Sequence, residues 1–305
     1  MASLTIIIPF LKNMETELLE ETLVSVLANR PKDCDIIVVN AADYEDHWQI
    51  WEEGVVFCMA DSDTGLMEAI NIGIQNAQAP VVHIILCGCQ VKEGWTQKAV
   101  VRFEQSNVAA VVPIVEVAGG QSAPNAIRGT AYTRDGVILP LAGGKTQPPH
   151  SFLAPTVMGA FFRTDTLVDI GGFDTSLDPR FSFVDTALLL EAIKRKTVYE
   201  GESALSYETC PLLEPTLAER ITAQETIFQR WVEFKGGVFL SKGAHRFRKW
   251  KEGLAALFNG TSSLVQNAYK VGAMKSAAGD RKKLVETATS NILARSKAAN
   301  QPEPH

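Results

Sequence analysis

Asp35-Ile36-Ile37-Val38-Val39-Asn40 sets four aliphatic residues in one unbroken run. A strand with one wet face alternates polar and apolar residues. An unbroken run belongs to a strand covered on both faces, the habit of parallel sheets. Upstream, residues 4–9 form a second short apolar run. Between the two, residues 14–28 carry Leu18, Leu19, Leu23, Val26 and Leu27 at helical spacing. Downstream the alternation continues: a strand over 55–59, a helix over 64–76, a strand over 81–86, a helix over 95–105 and a strand over 108–117. Asp63 or Thr64 is placed to cap the 64–76 helix. Repeated β-α-β units imply an α/β fold with a Rossmann-like, mainly parallel sheet and helices on both faces.

Beyond residue 117 the pattern changes. Residues 118–150 are rich in Gly, Pro, Gln and Ser, and Asp135-Gly136 between two short runs predicts a hairpin. A strand over 157–162, a short helix from Thr164, a Gly171-Gly172-Phe173-Asp174 turn and a helix over 185–195 follow. From about Pro215 the chain reads as helical, and residues 301–305 as a frayed end.

Composition bounds the function. The 305 residues are 46% apolar and 21% charged, the profile of a globular protein with a sizeable core. No apolar run approaches the roughly 18 residues that span a bilayer. The opening residues lack a basic start and a small-residue cleavage site, and read as a strand. The five cysteines, Cys34, Cys58, Cys87, Cys89 and Cys210, are odd in number and scattered, which fits a reducing cytoplasm better than a disulfide framework. Without export the Asn259-Gly260-Thr261 sequon is a chance match.

The net charge of −6 is unevenly spread. Residues 242–305 hold twelve basic and four acidic side chains, a balance of +8, which leaves −14 on residues 1–241. An acidic body does not suit nucleic acid. A basic tail suits a membrane surface, an anionic partner or the protein's own acidic face.

Several chemistries are excluded by their missing motifs. No G-x-G-x-x-G follows a strand, and no H-E-x-x-H or G-x-S-x-G occurs. Gly143-Gly144-Lys145-Thr146 imitates the end of a P-loop, but the first glycine position is Leu139. Cys87-Gly88-Cys89 is a lone C-x-C and reads as two buried strand-end cysteines rather than a metal site.

An open parallel sheet binds ligands beyond the carboxyl ends of its strands. Those ends here carry Pro9, Phe10, Lys12 and Asn13, then Asn40 and Asp43, then Asp61, Ser62 and Asp63, then Cys87, Gly88, Cys89 and Gln90. Asn and Asp at three of the four ends suit a base, a ribose or a cation. The same residues also serve as ordinary turn and cap formers.

The order of these pieces resembles a family. Ile6-Ile7-Ile8-Pro9-Phe10, the helix around Leu19-Glu20-Glu21-Thr22-Leu23 and Ile36-Ile37-Val38-Val39-Asn40 resemble the opening of the family-two nucleotide-sugar glycosyltransferases of GT-A fold. Asp63-Thr-Gly-Leu-Met-Glu-Ala-Ile-Asn-Ile-Gly73 is similar to their D-x-G-x-x-x-A-x-N-x-G helix. Gly159-Ala-Phe-Phe-Arg163 and Ile170-Gly-Gly-Phe-Asp174 resemble the acceptor-side segment, and Asp185 falls in the family's E-D-x-D-L stretch. The likeness runs from about residue 4 to 200. It implies a GT-A-like domain over 1–240 with a basic, mostly helical extension over 241–305. It also implies a nucleotide-sugar donor against Pro9, Phe10, Asn40, Asp61 and Asp63. Asp185 would be the general base for inverting transfer to a hydroxyl acceptor.

Departures from the pattern set a second reading beside the first. The family's D-x-D, which holds a divalent cation on the donor diphosphate, is degenerate here as Cys87-Gly88-Cys89. A Mn or Mg ion wants hard oxygen ligands, which thiols do not supply. The acidic residue after the second strand is Asn40, the Glu of the E-D pair is Val184 and the second acid is Ala187. Lys12 and Arg163 are the cations left to neutralise a diphosphate, unless Asp61 or Asp63 helps hold a metal. The alternative is therefore a catalytically inactive homologue that binds or scaffolds. In the tail, Phe247, Trp250, Leu254, Leu257 and Phe258 form one apolar helical stripe flanked by Arg246, Arg248, Lys249 and Lys251. Packing on the body is the commoner use of such a stripe; contact with an anionic membrane is the other.

Overall fold

The computed structural model describes residues 3–118, 126–142, 145–209, 215–232, 234, 240–275 and 281–299. Its first half is β1 (Leu4–Leu11), α1 (Thr16–Ala28), β2 (Cys34–Ala41), β3 (Val55–Met59), α2 (Leu66–Asn76) and β4 (Val81–Ile85). Then come β5 (Cys89–Val91), α3 (Gln97–Arg102), β6 (Val108–Val117), β7 (Ile127–Thr133), β8 (Ile138–Ala142), β9 (Ser151–Ala154) and β10 (Gly159–Arg163). The last part is α4 (Thr164–Asp169), α5 (Pro179–Ala192), β11 (Lys196–Tyr207), α6 (Leu217–Trp231), α7 (Lys242–Phe258), α8 (Ser262–Lys275) and α9 (Arg281–Ala299).

One sheet runs through the molecule in the order β3-β2-β1-β4-β10-β6-β11-β5, with β7 on β6, and β8 and β9 on β7. Strands β3, β2, β1 and β4 are mutually parallel, as the apolar runs predict. The second half is mixed: β10 is antiparallel to both β4 and β6, while β11 is parallel to β6. The expected hairpin at Asp135-Gly136 joins β7 to β8.

Helices cover both faces of the parallel half. A Cβ at Gly73 of α2 would stand 2.4 Å from Ile7 Cγ2 and 3.3 Å from Val39, so α2 lies on the Ile7 face. By the pleat, Phe10 and Asn40 point to the other face. There Tyr44 packs its ring edge on Phe10 and donates its hydroxyl to Glu20 of α1, at 3.4 Å. Strands β1, β2 and β4 are almost wholly buried, which explains their unbroken apolar runs.

Several elements differ from the sequence reading, among them the short strands β5 and β9, which it does not predict. Helix α5 begins six residues before 185, where Pro179 takes the first turn and Asp178 caps it by accepting from Arg180 N at 3.0 Å. Helix α2 has Gly65 at its N-cap with no side-chain cap, so neither Asp63 nor Thr64 serves there. Strand β11 was not legible because it is largely polar. Its Glu200 is buried through a 2.8 Å ion pair with Arg102, and its Ser203 donates to Trp95 O at 2.6 Å. The P-loop-like glycines 143–144, Cys210, the Phe258 side chain and residues 301–305 lie outside the described residues.

Helix α7 inverts the expected packing. Its polar residues go inward: His245 and Arg248 are buried, His245 stacks on Phe228 and bonds Glu225 at 2.8 Å, and Arg248 donates to Gln224 at 2.9 Å. The apolar stripe faces water, with Phe247 59%, Trp250 60% and Leu257 64% exposed. The physical reason is Glu225, buried on α6: a buried carboxylate requires cationic or donor partners, and α7 supplies them with its polar face.

Candidate functional site

The carboxyl ends of β3, β2, β1 and β4 meet at one edge. Register pairs Phe10 with Asn40 and Asn40 with Met59. Ala60 N donates to Asn40 O at 2.9 Å, and the Cys87 thiol reaches Pro9 O at 3.4 Å. Pro9, Phe10, Asn40, Asp61, Asp63 and Cys87 are thus neighbours in the fold, although they are spread over nearly 80 residues of chain. Asp61 and Asp63 stand exposed in a turn closed by Thr64 N on Asp61 O, and Lys12 is exposed beyond β1. Asn40 turns inward. Its oxygen accepts from Ala42 N and Tyr44 N at 3.2 and 3.1 Å, and its nitrogen donates to Tyr44 O at 3.0 Å. That amide shapes its own loop and lays Tyr44 over Phe10, with Tyr44 stacked on Phe57.

The turn after β4 is sealed. Gly88 has φ +85, a conformation that L side chains rarely adopt, and its N–H is shared between Thr22 Oγ1 at 2.8 Å and Leu18 O at 3.0 Å on α1. Cys87 and Cys89 are buried on either side, and burial pushes both thiols up to about 12. Protonated, buried thiols and a glycine do not fit a hard divalent cation. Among the described residues no three His, Cys, Asp or Glu side chains stand close enough to hold one. Arg163 is placed at the opposite end of the sheet, paired with Val81 at the start of β4, where it donates to Phe103 O and Val108 O. It cannot neutralise a charge at the carboxyl ends of the strands.

Asp185 lies on α5, fully buried. It accepts from Trp231 Nε1 at 2.8 Å and from Arg281 Nη2 at 2.6 Å. Arg281 also reaches Asp174 at 2.6 Å, which in turn accepts from Arg230 at 2.7 Å. Burial pushes the Asp185 carboxyl up, against Arg281 and Trp231, which pull it down. Asp174 is partly buried too, but the two hydrogen bonds from Ser176 together with Arg230 and Arg281 hold it down to about 2. Both carboxylates border a cavity of about 360 Å³ at the Gly171–Ser176 turn, closed on its far side by Arg281 and Leu284 of α9.

Asn71 holds that turn in place. Its amide donates to Phe173 O at 2.9 Å and accepts from Phe173 N at 2.8 Å. Asn71→Ala removes the partners of both the N–H and the C=O of the buried Phe173, and is expected to cost about 2 kcal/mol. Urea melts of the two chains check this, with a shift of less than about 0.5 kcal/mol counting against the clamp.

Sequence reasoning placed Asp185 but missed Arg230, Trp231 and Arg281. Only the apolar residues of the last helices carried a signal, and Arg281 opens a helix rich in Ala, Ser and Lys.

A mixed sheet with one parallel half and helices on both faces is the architecture shared with solved GT-A glycosyltransferases. The chain belongs to glycosyl transferase family 2, whose sequence profile matches residues 5–164. A sequence comparison with curated proteins finds no match. Solved structures extend the likeness in fold over nearly the whole chain. GalNAc-T7, determined with UDP, GalNAc and Mn2+, is 15% identical with a TM-score of 0.59 over 99% of this chain and 58% of its own. The mannosyltransferase PcManGT of Pyrobaculum calidifontis, in complex with GDP-Man and Mn2+, is 14% identical, with a TM-score of 0.52 over 99% of this chain and 81% of its own. TarS of S. aureus is 12% identical, with a TM-score of 0.52 over 89% of this chain and 55% of its own. The chain therefore spans little more than half the length of two of these three proteins. Among the described residues no helix is long and apolar enough to cross a membrane.

Proposed function

We propose that residues 1–240 form a transferase body that moves a sugar, with inversion, from a UDP- or GDP-sugar to an acceptor hydroxyl. Residues 241–305 are an extension laid on that body. The observation that carries this reading is the register that gathers Pro9, Phe10, Asn40, Asp61 and Cys87 at one sheet edge. At that edge the exposed Asp61 and Asp63 face the nucleotide, and Lys12 offers charge to the diphosphate. Asp185 takes the acceptor proton as the acceptor oxygen bonds the anomeric carbon and the bond to the diphosphate breaks. Trp231 N–H orients its Oδ1, and the acceptor hydroxyl replaces Arg281 at Oδ2. No step passes through a metal, because the ligands of the Cys87–Cys89 turn do not suit one. Release of UDP or GDP from a panel of nucleotide sugars tests the reading. The absence of both release and binding with every donor overturns it.

A second reading has its own support. The Arg281 ion pair on Asp185, with the sealed turn at Gly88, favours an inactive homologue that still binds. Donor binding without nucleotide release would select this second reading.

The outward apolar face of α7 supports a membrane contact within the same proposal. Phe247, Trp250 and Leu257 lie beside Arg246 and Lys251, the pattern of a helix resting on anionic lipid. The full chain is expected to co-sediment with vesicles containing phosphatidylserine and not with pure phosphatidylcholine. Trp250→Glu should abolish sedimentation with little change in the melting temperature, since that side chain is 60% exposed and its ring stacks on the equally exposed Phe247. Equal binding by both chains would remove α7 from the contact.

A further inference from the structure

A separate cavity of about 190 Å³ opens between the β7–β8 hairpin and the start of α5. Its walls are mainly apolar, with Ile138, Met158 and Phe181 prominent, and Arg180 and Arg220 stand among them. Arg220 is exposed with no side-chain partner among the described residues, while Arg180 has a loose contact to Asp178 at 3.8 Å and lies in the field of the exposed Glu219 carboxylate. An apolar hole with two guanidinium groups available is built for a ligand with an apolar chain and an anionic group.

The position of this cavity ties it to the transfer site. Phe181 stands one helical turn before Asp185 on α5, at the i, i+4 spacing that puts both on one helix face. The opposite wall is tied to the donor edge: Tyr207 donates its hydroxyl to Met158 O and accepts from Leu86 N at 3.1 Å, just before the Cys87 turn. Thr130 of the lining and Tyr132 share a face of β7, and the buried Tyr132 hydroxyl has no hydrogen-bond partner among the described residues. The cavity thus shares helix α5 with Asp185, and its Met158 wall is joined through Tyr207 to the end of β4.

We infer that this cavity binds the acceptor, and that the acceptor is an anionic amphiphile: a short apolar segment in the hole with a phosphate or carboxylate on Arg180 and Arg220. The acceptor role rests on the transferase reading; the binding itself does not.

Calorimetric titration of the full chain with decyl phosphate, decanoate, decanol and inorganic phosphate tests it, each amphiphile below its micelle concentration. Decyl phosphate or decanoate is expected to bind at least about tenfold more tightly than decanol or inorganic phosphate, and the stronger of the two names the head group. The double variant Arg180→Gln, Arg220→Gln should lose that advantage while decanol binding stays. Ile138→Trp, which fills the hole, should weaken decyl phosphate, decanoate and decanol alike. Should Ile138→Trp fail to fold, the arginine variant alone decides. Anionic amphiphiles binding no better than inorganic phosphate would overturn the inference. So would binding unchanged in both variants, which would put the amphiphile on the α7 stripe. Amphiphile binding by a chain that binds no nucleotide sugar would overturn the acceptor role and the transferase reading together, and would leave the cavity as a binding site.

Discussion

Asp185→Asn is expected to slow sugar transfer by about 10²–10⁴-fold, the usual contribution of a positioned general base. The amide keeps the shape and can still accept the Trp231 N–H, so the side chain stays in place while its basicity is lost. The proposed nucleotide residues Pro9, Phe10, Asp61 and Asp63 lie on or after β1 and β3, away from α5, so KM for the nucleotide sugar should move by less than about threefold. A second effect must be separated from the first. The variant also loses the ion pair to Arg281, worth about 2 kcal/mol for a hydrogen-bonded charge. Arg281 keeps Asp174 as a partner, which limits the damage. Measuring kcat well below the melting temperature of the variant isolates the chemical loss. A variant within about tenfold of the parent rate would deny Asp185 the role of base.

Acid should destabilise the fold through His83, with the second-largest effect. His83 is wholly buried in β4, stacked on Phe161 at 3.5 Å and beside Trp95. Ala160 O, 2.9 Å from Nδ1, can only accept, so Nδ1 carries the hydrogen. Nε2 has no partner. A second proton would place an unpaired N–H in the core, and burial accordingly pushes the His83 pKa down from 6.5 to about 3. The unfolded chain binds that proton below about pH 6.5 and the folded chain does not. Stability is then lost progressively from about pH 6.5 to about pH 3, by about 4–5 kcal/mol in all. His83→Phe keeps a ring on Phe161 and removes the titrating group. Its urea midpoint should fall much less over that window than the parent's, whatever its absolute stability. Parallel curves for the two chains would show that His83 does not drive the acid loss.

The parts of the fold that could be read from the sequence are those whose physics is local. Ile36–Val39 and the apolar runs of β1 and β4 are buried on both sides, so burial writes itself into consecutive residues. Strand β11 is held by Glu200 on Arg102 and Ser203 on Trp95, partners about 100 residues away, and nothing in its own composition marks a strand. Helix α7 misled for a related reason. Its apolar stripe is locally clear, but Glu225 on another helix decides which face turns inward.

The candidate site divides in the same way. Asp185 and the strand ends follow from motif order. Asn40 was expected to face a base, yet its own loop offers two N–H groups and a carbonyl within reach, and local turn formation takes the amide first. Arg281 sits 96 residues from Asp185, on a helix whose inward face is set by acids elsewhere: Asp169 with Asn291 and Arg295, Asp174 with Arg281. The acidic body and basic tail, visible as a charge split along the chain, thus meet partly as specific ion pairs of α9, Arg281 with Asp174 and Asp185, and Arg295 with Asp169.

The central claim is that the ends of β1 to β4 grip a nucleotide sugar without a divalent cation. Calorimetric titration of the full chain with UDP- and GDP-sugars, with and without manganese, tests it most directly. The account predicts binding of at least one donor, with an affinity that manganese changes by less than about threefold. Binding that appears only with manganese, or no binding of any donor, would contradict it.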